Sequence, residues 1–131
     1  QVLLNLVTNA AQAIRIRGER ERSEAQAQGG HDEAVCPELG EIQIRTMATP
    51  TRAVIQVKDS GTGIPSKDLD RIWEPFFTTK DVGEGTGQGL HVVHRIVVEQ
   101  HHGEVTCESA PNVGTTFRVS LPLAPTGNNP L

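Results

Sequence analysis

Apolar residues recur at three-and-four spacing from the first turn of the chain. Leu3, Leu6, Val7, Ala10, Ala13 and Ile14 line one side of a helix that this spacing predicts over Gln1 to about Ile16. Asn5, Asn9 and Gln12 share a second stripe of the same helix, so neutral amides run beside the apolar face. From Arg15 to Gly40 charged and small residues take over. They offer too little apolar surface to offset the entropy of ordering the chain, and a mobile loop is expected there. Alternation with period two then predicts strands over Glu41 to Met47 and Arg52 to Lys58, joined as a hairpin through Ala48 to Thr51.

Asp59 to Pro65 breaks the second strand. Ser66 is placed to cap a short helix over Lys67 to about Trp73, with Asp68 in its first turn and Pro75 just beyond. A glycine-rich loop fills 76–89, and Val93, Ile96 and Val97 mark one face of a helix from Leu90 to about His101, with Gly103 as its C-cap. Two last strands, Glu104 to Ser109 and Thr115 to Leu121, turn at Pro111 to Gly114, and a disordered tail is expected over 124–131. The order α β β α α β β defines an α+β fold with helices on one face of a largely antiparallel sheet.

Three stretches carry candidate chemistry. Amides on an apolar helix are costly when unsatisfied, so Asn5 and Asn9 suit either a solvated face or a polar ligand. A hard cation such as Mg²⁺ could be held through one Asn carbonyl together with substrate phosphates. Asp59-x-Gly61-x-Gly63 places a carboxylate at a strand end beside glycines that let backbone approach a flat ligand; an ordinary Asp-Gly turn has the same pattern. Gly83 to Gly89 runs straight into a helix whose first N–H groups and dipole favour phosphate, unless it is a flexible linker. It is neither a Walker A loop nor a dinucleotide fingerprint.

In this order and spacing, NLVTNA (5–10), DSGTGI (59–64), EPFFTTK (74–80), GTGQGL (85–90) and GTTF (114–117) closely resemble the N, G1, F, G2 and G3 boxes of the histidine kinase catalytic and ATP-binding domain. That superfamily is shared with gyrase, the heat-shock chaperone ATPase and the mismatch-repair ATPase. The resemblance covers residues 1–123 and implies a two-layer α/β sandwich, the Bergerat ATP-binding fold, with a mixed, largely antiparallel sheet. It implies Mg²⁺ on Asn9, adenine read by Asp59, and a base pocket lined by Gly61 and Gly63. Gly85, Thr86, Gly87, Gln88, Gly89 and Leu90 would cradle the phosphates of ATP, 76–89 would form a mobile lid, and Thr115 would support adenine recognition. Lys80 would reach a terminal phosphate. The FFTTK form of the F box is similar to kinases of the nitrogen-regulation type.

The implied reaction is transfer of the γ-phosphoryl group to a histidine on a separate dimerisation domain, followed by relay to a response-regulator receiver domain. No histidine between Gln1 and Leu131 resembles the acceptor, and neither the strand that precedes the first helix in the family nor the dimerisation region is matched. Because Gln1 already lies within a helical pattern, a longer protein is expected. Clamp ATPases of the gyrase kind carry a water-activating Glu where Asn5 stands. Relatives of the anti-sigma-factor serine kinases generally lack the EPFFTTK segment. A non-enzymatic domain with a dead pocket is a third alternative.

Charge and cysteine content narrow the setting. The 131 residues carry 12 basic and 16 acidic side chains, a net charge of −4 with no polybasic stretch, which argues against nucleic acid as a partner. No apolar run exceeds three residues, which excludes a membrane span, so no direct membrane contact is expected. Cys36 and Cys107 stand far apart, without metal-ligand spacing, and are read as inert thiols. His91 and His94 are read as surface residues, and His101 and His102 as partners of a helix dipole. Trp73, Phe76 and Phe77 are read as packing at the base of the lid. A cytoplasmic location follows from the use of ATP, whether or not the whole protein is anchored at the inner membrane.

Overall fold

The first helix runs well past its apolar stripe. In the computed structural model, which describes residues 1–27, 40–77 and 89–123, helix α1 spans Val2–Ala27. The loop expected over Arg15 to Gly40 is therefore corrected as far as Ala27, and the rest of it, 28–39, lies outside the described residues. Beyond Ile16 the helix is carried by residues with good intrinsic propensity and by exposed i,i+4 pairs, Arg15 with Glu19 at 3.9 Å and Arg17 with Glu21 at 3.0 Å. Such pairs leave no mark on an apolar pattern. Leu6 and Ala10 are fully buried, whereas Leu3 of the same stripe is 44% exposed.

Four strands form one sheet in the order β1-β2-β4-β3: β1 Ile42–Ala48, β2 Arg52–Asp59, β3 Glu104–Ala110 and β4 Gly114–Pro122. All three pairings are antiparallel, so the mixed sheet implied by the resemblance is not seen among the described residues. Register puts Val57 opposite Phe117 and Phe117 opposite Cys107, Ile55 opposite Val119 and Val119 opposite Val105, all on one face. The alternation read from the sequence arises because this face is covered by helices and the other is not.

The segment after β2 differs in detail. Ser66 does not act as a cap: Pro65 occupies the N-cap position without a side-chain hydrogen bond, and only Ser66–Asp68 is helical, as a single 3₁₀ turn. Successive i,i+3 bonds, Arg71 N to Asp68 O and Glu74 N to Arg71 O, then carry the chain to Phe77. Pro65 and Pro75 bracket too few residues to repay helix nucleation.

Helix α2, Gly89–His94, continues as π-helix over Arg95–Gln100. His101 N bonds back to Ile96 O at 3.1 Å and Gly103 N to Val97 O at 2.8 Å. The left-handed residue at this end is His102, at φ 55°, rather than the expected Gly103. Leu6, Val57, Ile72, Val93, Val97, Phe117 and Val119 form the buried core between α1, α2 and the sheet. The tail over 124–131 lies outside the described residues.

Candidate functional site

Asp59 ends β2 on the helix-covered face and is 3% exposed. Its Oδ1 accepts a hydrogen bond from Gly61 N at 2.8 Å, and the backbone of Thr115, its register partner on β4, also bonds to the carboxylate. Burial pushes the carboxyl pKa above its ordinary value, and the two backbone donors offset part of that rise. A carboxylate held from the protein side retains acceptor capacity for an amine donor on a ligand.

The glycines beside it answer to close approach. A side chain at Gly61 would meet Ala13 Cβ of α1 at 2.5 Å and Asp59 Oδ1 at 2.9 Å. Gly63 has φ +73° and backs onto the Ala110 carbonyl at the end of β3. Thr62 O accepts from Asn112 N at 2.7 Å, which joins the loop after β2 to the β3–β4 turn.

Thr115 is 4% exposed, with Oγ1 2.8 Å from Ser109 Oγ. Ser109 was not singled out from the sequence, yet it is a junction: its hydroxyl accepts from Ile64 N at 2.6 Å and donates to Gly114 O at 3.0 Å. Its only sequence signal is its place on the inner face of β3, and its meaning depends on being opposite Thr115. Arg17 was also missed, because it falls in the stretch read as a loop. Its Nη1 donates to Ser60 O at 2.9 Å and reaches Gly61 O and Val113 O, each at 3.4 Å.

The amide stripe of α1 faces the same region. Asn5 Nδ2 donates to Gly89 O at 3.3 Å, and its Oδ1 accepts from Gln1 Nε2 at 3.1 Å. Asn9 lies one turn on, half-buried, and Ala13 one turn further, against Gly61. One helix stripe thus runs from the start of α2 to the loop after Asp59 and brings Asn5, Asn9, Asp59, Gly61, Gly63, Gly89 and Thr115 to one side of the sheet. Leu90 packs its side chain against the core. Lys80, Gly85, Thr86, Gly87 and Gln88 lie outside the described residues, as does the lid segment 78–88.

A depression of about 290 Å³ opens at the same strand ends, with Asp59, Ser109 and Thr115 in its wall. It extends toward Lys58 and Glu108 and is lined by neither asparagine. Among the described residues no group of three or more His, Cys, Asp or Glu is placed to hold a metal ion. His91 and His94 instead contact Trp73, through Nδ1 to the Trp73 carbonyl at 3.2 Å and through rings 5.6 Å apart. Trp73 also meets Phe117 edge-on at 5.9 Å, and Phe77 lies beneath the Arg71 guanidinium at 4.5 Å. Phe76, expected to pack beside them, is 70% exposed. Cys107 is half-buried, and burial, followed by the nearby Asp59 and Glu108 charges, pushes its thiol up to about 12, in keeping with an inert role. Cys36 lies outside the described residues.

The chain and its fold have counterparts among known proteins. The family model described as histidine kinase-, DNA gyrase B- and HSP90-like ATPase matches residues 1–125, and the chain belongs to that family. Within the family its similarity is to catalytic domains of sensor histidine kinases. The sensor histidine kinase ZraS of Escherichia coli (strain K12) is 41% identical over 130 residues, 99% of this chain and 23% of that protein. The sensor kinase CckA of Brucella abortus (strain 2308) is 43% identical over 101 residues, 66% of this chain and 11% of that protein. The catalytic domain of histidine kinase ThkA superposes with a TM-score of 0.67 at 32% identity, covering 93% of this chain and 65% of that one. The mycobacterial sensor histidine kinase MprB gives 0.67 at 25% identity, over 95% and 70% of the two chains. The chain thus spans less than a quarter of the length of these two curated relatives.

Proposed function

We propose that this chain binds MgATP and transfers the γ-phosphoryl group to a histidine on a separate dimerisation domain of the same protein, for relay to the receiver domain of a response regulator. The observation that carries the reading is the buried Asp59 carboxylate, braced by Gly61 N and Thr115 beside an asparagine stripe, in a chain of this ATPase family. The buried acceptor suits adenine: its exocyclic amine can donate to the carboxylate, whereas guanine presents a carbonyl there.

Mg²⁺ would be held by the Asn9 side-chain oxygen together with phosphate oxygens and water, the ligand set a small hard cation prefers. When bound, it supplies neutralisation of phosphate charge. The chain's own share is positioning: Asp59 orients the base, backbone N–H groups from Gly85 to Leu90 hold the phosphates, and Lys80 reaches the terminal one. Asn5 keeps a neutral amide where a clamp ATPase would carry a base, so water is not activated and the phosphoryl group is kept for the histidine. This reaction belongs in an ATP-rich cytoplasm. No helix of the described residues is long and apolar enough to cross a membrane.

Titration of wild type and Asn9→Ala with ATP, with and without Mg²⁺, tests the assignment. The variant is expected to fold, since Ala suits a helix, and to lose the Mg²⁺ dependence of binding. Unchanged Mg²⁺ dependence would remove Asn9 from the metal.

A further inference from the structure

Arg17 joins three backbone carbonyls from two loops, and its place in that arrangement bears directly on Asp59. Its Nε is held by Glu21 Oε1 at 3.0 Å, one turn along α1, which leaves Nη1 directed at the loops. The shortest of the three contacts is to Ser60 O, at 2.9 Å. Ser60 O and Gly61 N belong to the same peptide unit, and Gly61 N is the group that donates to Asp59 Oδ1 at 2.8 Å. A trans peptide is planar, with C=O and N–H pointing in opposite directions. A guanidinium on one side and a carboxylate on the other therefore hold this plane at both ends. A charged donor on the carbonyl also polarises the unit and strengthens its N–H as a donor. The contact to Val113 O ties the same guanidinium to the β3–β4 turn, directly before Gly114 and Thr115.

We propose that Arg17 is a positioning residue for base recognition: by holding the Ser60–Gly61 peptide it sets the orientation of the Asp59 carboxylate, and with it the preference of the site for adenine over guanine. The inference rests on the reading of Asp59 as the base-recognising group and adds a residue from a stretch of helix beyond the motifs.

The test compares the 131-residue wild type with Arg17→Gln, Arg17→Lys and Asp59→Asn. ATP and GTP affinities are measured by calorimetry, and the Gly61 amide resonance is followed by NMR without nucleotide. Loss of a charge-assisted hydrogen bond is expected to weaken ATP binding to Arg17→Gln by about tenfold. GTP binding should change much less, so the ATP-to-GTP ratio falls, and the Gly61 amide proton moves upfield as its donor loses polarisation. Arg17→Lys, which keeps the charge but not the fork, falls between wild type and Arg17→Gln on both readings. Equal losses for ATP and GTP would mark a merely structural role and overturn the proposal. So would a Gly61 proton that does not move upfield. If Arg17→Gln does not fold, the lysine variant decides by the same readings, an unchanged ratio overturning the proposal. Asp59→Asn separates the two levels. If it keeps the wild-type ratio, base reading by Asp59 fails and the role of Arg17 with it. If it loses the ratio while the arginine variants keep it, only the role of Arg17 fails.

Discussion

Burying a carboxylate has a cost that depends on pH, and Asp59 makes the sign of that dependence testable. Its folded pKa is raised from 3.8, chiefly by desolvation. Between 3.8 and the raised value the folded chain binds more protons than the unfolded one, so stability falls as pH rises through that window and is level above it. Relative to Asp59→Asn, which does not titrate, the wild type should lose stability from about pH 4 upward and then run parallel to it. Urea unfolding of both proteins across a pH series checks this, and a wild type that gains on the variant over the same window would contradict a buried, destabilised carboxylate. Asp59 and its glycines could be picked out of the sequence because a strand end and a D-x-G-x-G pattern are local features. Ser109 could not, since its hydroxyl acquires meaning only from Thr115 and Ile64 across the sheet.

At the level of elements, the four strands were legible to within one residue at each end: β2, β3 and β4 turn alternate side chains toward the helices, which writes a period of two into the chain, and β1 alternates in sequence although only Ile42 on it is partly buried. The second half of α1 was not legible, since it has no apolar face to repeat. Arg22 is exposed within it. Arg22→Pro should remove the bond to the residue four back and unwind the helix beyond it, a loss of about 3 kcal/mol in a helix interior. Hydrogen exchange should then lose protection over 22–27 while Leu6 to Ala13 keeps it. If residues 18–27 exchange freely in the wild type, the helix does not extend past Ile16 in solution. The π-helical continuation of α2 over Arg95–Gln100 and the 3₁₀ turn at Ser66–Asp68 had no distinct sequence signature either. Both arise in short segments where neighbouring contacts, rather than propensity, choose the winding.

At the scale of the whole molecule, one side chain bridges the first helix and the start of the second. Asn5 spans α1 and α2 through Gly89 O, and an amide cannot take a proton from water. The isolated chain should bind ATP and turn it over very slowly. Asn5→Glu should raise turnover only modestly, since the new carboxylate would face the Gly89 carbonyl acceptor to acceptor and base catalysis also needs a water held in line. Steady-state phosphate release measures both, and brisk hydrolysis by the wild type would favour a clamp ATPase. The sheet order has a kinetic side as well. β1 with β2 and β3 with β4 are hairpins, closed over short stretches of chain, whereas the β2–β4 seam joins residues far apart in sequence, such as Val57 and Phe117. Loop closure is expected to make that seam the slow step of assembly. Asp59 and Thr115 face each other across it, so neither hairpin alone holds the pair proposed to recognise the base. On the proposed reading of that pair, nucleotide would capture the chain only after the seam has closed, and its binding energy would act against reopening of the sheet along that one line.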